Sequence, residues 1–194
     1  MTTTFSMARR LLLVVLVVAQ VAIAEEPSRF QRLFNHYNSI RAALAADTIA
    51  EIPYHAEQLG VLARTLAGEV QRSKDKDSAT IAKELLAISN AARQVGYSTD
   101  LKAARTAFAE LSRALVAYRG VANVKDPIVV FCPLHNRIWL QRSGEKIGNP
   151  YLGKDGATCG ETLKLRAPGW LPSRPPLNPA GGPSPGDVNP WGGR

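Results

Sequence analysis

Between Ser28 and Arg119 the apolar residues recur at helical spacing in four consecutive segments, and this period constrains the fold more than any other feature of the chain. The first stripe is Phe30, Leu33, Phe34, Tyr37, Ile40 and Leu44. The second is Ile52, Ala56, Leu59, Leu62, Leu66 and Val70. The third runs through Ile81, Leu85, Ile88, Ala92 and Val95, and the fourth through Leu101, Ala104, Phe108, Leu111, Leu115 and Tyr118. Each set covers one face of one helix, so each helix needs a neighbour to bury that face.

Caps and breakers fall between the stripes. Pro27 and Ser28 open the first helix, and Thr48 with Glu51 reads as a capping box at the second. Pro53 lies in the first turn or two of that helix, a position that can shift its start by a few residues without breaking it. Ser73 to Ser78 is a polar turn, and Gly96 and Gly120 stand where left-handed residues close the third and fourth helices. Short loops make successive helices antiparallel neighbours. The expected fold is therefore mainly α, an up-down four-helix bundle over residues 25–120.

After Gly120 the pattern changes. Pro127 to Phe131 is a β-branched run, Arg137 to Gln141 is a second strand candidate, and Cys132-Pro133-Leu134-His135-Asn136 lies between them. Residues 121–166 thus read as a small β-hairpin or hook attached to the bundle. From Ala167 to Arg194 the chain carries Pro168, Pro172, Pro175, Pro176, Pro179, Pro183, Pro185 and Pro190 among glycines, a composition expected to stay disordered.

The amino-terminal end predicts export. Arg9 and Arg10 form a positive region, Leu11 to Val18 an apolar one, and Ala22-Ile23-Ala24 a small-residue cleavage site, so residues 1–24 read as a signal peptide. The apolar run is shorter than the roughly 20 residues of a membrane-spanning helix, and no span is expected after cleavage. The expected location is periplasmic or secreted. Without Arg9 and Arg10 the 24 Lys and Arg become 22 against 16 acids, and the net charge falls from +8 to +6. Acids such as Glu51, Glu57, Glu69 and Glu84 are interspersed with the bases, which argues against a nucleic-acid partner.

The remaining 170 of 194 residues can bury a core without covalent help, so the two cysteines need their own reason. In an oxidising compartment the default is a Cys132–Cys159 disulfide with His135 exposed beside it. The sharper reading is a metal site, since Cys132-x-x-His135 on a turn with Cys159 downstream offers two thiolates and an imidazole. Such ligands select copper(I) or zinc over magnesium or calcium. His36 lies off the first stripe and His55 near the start of the second helix. Each reads as a surface or boundary residue, though the two can meet across antiparallel helices. Trp139 and Tyr151 are expected to cover the hook's small core.

Phe131-Cys-Pro-Leu-His135, Trp139-Leu-Gln141, Ile147-Gly-Asn-Pro-Tyr151-Leu-Gly153 and Cys159-Gly160, in that order after helices containing Tyr37 and Ala42-Ala-Leu-Ala-Ala-Asp47, carry a resemblance. Over about residues 28–165 the chain resembles a bacterial periplasmic family catalogued as a domain of unknown function. That family occurs alone after a signal peptide or fused to the adaptor subunits of heavy-metal efflux pumps of the copper/silver type. The resemblance implies a helical bundle with a carboxy-terminal hook, a role in handling soft metal ions, copper foremost, and an efflux adaptor or other envelope protein as partner. The family commonly has methionines after its Cys-Pro pair and three residues before its Cys-Gly pair, where this chain has Leu134 and Gly156. Cys132, His135 and Cys159 are left to carry any site, which leans toward zinc or toward the disulfide.

No enzyme signature is present: there is no nucleophile elbow or paired-histidine helix, and Gly153-x-x-Gly156 lacks the strand-to-helix setting of a phosphate loop. Cys132 and His135 alone, without a third orienting group, make a poor nucleophile and base. The chain reads as a non-enzyme. It is either a soft-metal binding protein accessory to heavy-metal efflux or homeostasis, or a non-catalytic envelope interaction module whose cysteines form a structural disulfide.

Overall fold

A computed structural model of the chain describes residues 28–73, 75–156 and 158–163. The expected signal peptide and the proline-rich tail lie outside these residues. Four helices, α1 (Arg29–Ala45), α2 (Ile52–Ser73), α3 (Ser78–Gly96) and α4 (Leu101–Val121), are followed by β1 (Ile128–Cys132), β2 (Arg137–Gln141), a 3-10 turn at Gly153–Gly156 and β3 (Glu161–Leu163). The helices form the up-down bundle that the four stripes require, each packed on the next. Ser28 caps α1 by accepting from the Gln31 N–H, and Asp100 caps α4 by accepting from the Ala103 N–H.

The punctuation differs from expectation in three places. Thr48 Oγ1 accepts from the Ala50 N–H, and Glu51 instead faces His55, so the reciprocal capping box is replaced by a local turn. Gly96 and Gly120 lie inside their helices. The left-handed residues that close α1 and α4 are Asp47 (φ 58°) and Asn123 (φ 52°), where the N–H of the following residue returns to Ala43 O and Arg119 O. Gly96 serves packing, since a Cβ there would lie 3.3 Å from Ala56 Cβ on α2. In α2 and α3, Ala63, Ala67 and Ala82 join Leu59, Leu66, Leu85 and Ile88 in the buried faces, while Leu62 and Ile81 of the stripes are half-buried.

The hairpin is the one expected, with Val130 opposite Trp139, and β3 adds a third strand on the other edge of β1 in the order β2-β1-β3, antiparallel throughout. It is no appendage. Val129, Val130, Trp139 and Leu140 belong to the same apolar cluster as the helices. Aromatic rings run from α1 into the sheet, Phe30 to Phe34 to Tyr37 to Phe108 to Tyr151 to Trp139, with centroids 5.0–6.2 Å apart. β2 packs on α4 where α1 and α4 approach each other.

Candidate functional site

Cys132 ends β1 and is fully buried, and Cys159 precedes β3 half-buried. The turn between β1 and β2, closed by Asn136 at φ 49°, carries Pro133, Leu134 and His135 into solvent. Cys159 is set by three constraints. Its N–H donates to Gly156 O, its carbonyl accepts from Asn149 Nδ2 at 2.8 Å, and Gly160 lies so close to the sheet that a Cβ there would fall 2.7 Å from Trp139 Cη2. Cys132 and Cys159 are joined as a disulfide with Cα atoms 5.7 Å apart, within the range such a bond spans. His135 stands beside it, Nδ1 3.7 Å from Cys132 Sγ.

All three residues singled out from the sequence therefore come together. With the sulfurs bonded to each other, they do not offer two thiolates to a metal, and the donor set fits copper(I) or zinc only after reduction. Among the described residues no group of three or more His, Cys, Asp or Glu side chains is placed to hold an ion. Nor is any described helix long and apolar enough to cross a membrane.

The motifs around the cysteines build a polar seam between sheet and bundle. Gln141, fully buried, donates from Nε2 to Glu145 O (3.1 Å) and Lys146 O (2.8 Å), and its Oε1 accepts from Gly148 N and Trp139 Nε1. That one amide folds the loop after β2 back on itself. Asn149 Oδ1 accepts from the N–H groups of Tyr151 and Leu152, fixing the Asn-Pro-Tyr turn. The outer edge of β2 would expose backbone groups, and two tyrosines satisfy them. Tyr37 Oη accepts from Leu140 N at 3.0 Å, and Tyr151 Oη donates to Ile138 O at 2.7 Å.

Ser112 Oγ of α4 links the two hydroxyls, 2.8 Å from Tyr37 and 3.2 Å from Tyr151. A carbonyl only accepts, so the Tyr151 proton goes to Ile138, leaving the Ser112 proton for the Tyr151 contact and the Tyr37 proton for Ser112. Burial pushes both phenols above their ordinary value, so they remain donors.

Charged residues tie the seam down at two points that sequence reasoning missed. Buried Arg41 donates to Asn38 Oδ1 and Gly148 O and pairs with Glu145, and burial lowers its pKa. Arg105 of α4 pairs with Asp47 and also donates to Leu44 O and Pro150 O, while Asp47 Oδ2 accepts from the Lys154 N–H. The Lys154 amide, then the Arg105 guanidinium, hold the Asp47 carboxyl below its usual range. Gly153 (φ 60°) is required there, because a Cβ would fall 1.8 Å from Asp47 Oδ1. Asp47 and Gly153 each end a segment that carries the family resemblance, but nothing in the sequence joined them to Arg105.

His36 and His55 also meet. Their Nδ1 atoms are 3.2 Å apart across α1 and α2, with rings 5.5 Å between centroids, and Glu51 Oε2 lies 3.9 Å from His55 Nε2. No protein-family model, curated protein or solved structure matches the chain.

Proposed function

We propose that this chain is a non-catalytic module of the bacterial envelope, exported to the periplasm or beyond, that works by binding a partner protein. The observation that supports this reading is the Cys132–Cys159 disulfide, a bond that persists in oxidising compartments and agrees with the signal-like amino terminus. Closing a loop of sequence separation 27 stabilises a chain by about 3 to 4 kcal/mol in the entropy account. It fixes the approach to β3, the strand that completes the sheet. The partner favoured by the family resemblance is an efflux adaptor or another envelope protein.

A second reading is favoured by one contact, His135 Nδ1 at 3.7 Å from Cys132 Sγ. Opened by a reductant, the pair becomes two thiols beside an imidazole, a donor set for copper(I) or zinc in metal handling.

An alkaline phosphatase fused after residue 163 tests export, and it should be active in intact cells and lose activity on deletion of residues 1–24. Copper(I) and zinc competition titrations of reduced chain, with and without His135→Ala, separate the two readings. If His135→Ala leaves weak binding unchanged, the metal reading fails. If reduced chain binds tightly through His135 and the cell keeps the thiols free, the module reading fails.

A further inference from the structure

The histidine pair on the first two helices lies outside the disulfide and the seam. Two ligands on one tetrahedral zinc, each at 2.0–2.1 Å, stand about 3.3 Å apart. The Nδ1 atoms of His36 and His55 are 3.2 Å apart, on helices whose backbones are fixed by the packing of Phe34, Tyr37, Ala56 and Leu59. We propose that His36 and His55 form an open two-histidine site for a divalent transition-metal ion of the zinc type, with Glu51 as the carboxylate behind it.

The chemistry is consistent atom by atom. Without metal, one Nδ1–H donates to the other Nδ1 across the 3.2 Å contact. With metal, both Nδ1 lone pairs face the ion and both ring protons sit on Nε2. That is the tautomer a carboxylate near His55 Nε2 favours, and Glu51 Oε2 is 3.9 Å from that atom. Both histidines are half-buried, the His55 side chain keeping 20% of its surface, which gives the ion an entry path and leaves its other positions to water or to an incoming ligand. Neither cysteine is needed, so the site is independent of the state of the disulfide.

The test is a zinc titration of the tag-free full chain purified without reductant, which keeps the cysteines bonded. The expected result is one zinc per chain, with His36→Ala or His55→Ala weakening binding by about 100-fold and Glu51→Gln by about tenfold. His135→Ala should leave binding unchanged. In the unmutated chain, nitrogen-15 shifts of the imidazoles should move at Nδ1 of His36 and His55 on zinc addition, a readout that does not depend on how the variants fold. No zinc uptake, equal uptake by His36→Ala and His55→Ala, loss of uptake in His135→Ala, or unmoved Nδ1 shifts would each overturn the proposal.

Discussion

The α2–α3 interface and the seam where α1 and α4 meet the sheet are both buried, but they are held by different means. Between α2 and α3 the contacts are aliphatic and small, with Leu59, Ala63, Leu66, Leu85, Ile88 and Ala92 almost wholly enclosed and Ser89 donating to Gly60 O as a rare polar tie. The seam is instead filled with Tyr37, Ser112, Tyr151, Gln141, Asn149 and Arg41, each meeting named backbone or side-chain partners. Aliphatic packing asks only for volume and period, whereas a buried polar network asks for particular atoms and fails when one is missing. The helical half is therefore expected to tolerate substitution, and the seam is not.

The largest break in that contrast should come from Gln141→Leu, which leaves Glu145 O, Lys146 O, Gly148 N and Trp139 Nε1 without their partner. A loss of about 3 kcal/mol or more is expected in urea melts. Gly160→Ala follows, because the added methyl meets buried Trp139 and Val130 side chains with no room to move, and about 1–3 kcal/mol should be lost. Tyr37→Phe removes one oxygen and strands the Leu140 N–H, for about 1–3 kcal/mol. By contrast Leu85→Met, equally buried but in the aliphatic interface, should cost under about 1.5 kcal/mol. If Leu85→Met costs more than Tyr37→Phe, the contrast is wrong.

The smallest effect, and the one that sharpens the comparison, concerns acid. The Asp47 carboxyl is held below its unfolded value by the Lys154 amide and Arg105, so it contributes stability above the usual carboxylate range and loses it as the pH falls through its depressed value. Asp47→Asn should lower the melting temperature at pH 7 and have progressively less effect toward pH 3. A constant difference across that range would exclude the carboxylate as the cause.

Much of the helical half was legible in the sequence. A stripe such as Phe30, Leu33, Phe34, Tyr37 fixes a helix because the apolar face is wide and repeated, and Ser28 marks its start through one side-chain oxygen. The helix ends were less legible. Glycine adopts right-handed turns as well as left-handed ones, so Gly96 and Gly120 stayed helical while Asp47 and Asn123, whose short polar side chains tolerate positive φ, closed the turns. β3 spans only Glu161–Leu163, too short to show a period, and it exists because β1 offers it an edge.

The site was half-legible. Cys132, His135 and Cys159 could be singled out by residue type, but whether the sulfurs bond depends on the approach that Asn149 and Gly160 enforce, which spacing alone does not contain. The Asp47–Arg105 clamp joins residues 58 positions apart, a distance over which no local pattern pairs them.

The most direct measurement is a thiol count, with metal analysis of the same sample, on denatured protein isolated from the cell without reductant. No free thiols and no stoichiometric metal at the cysteines is the predicted result. Two free thiols with near-stoichiometric copper or zinc, lost together on His135→Ala, would contradict it.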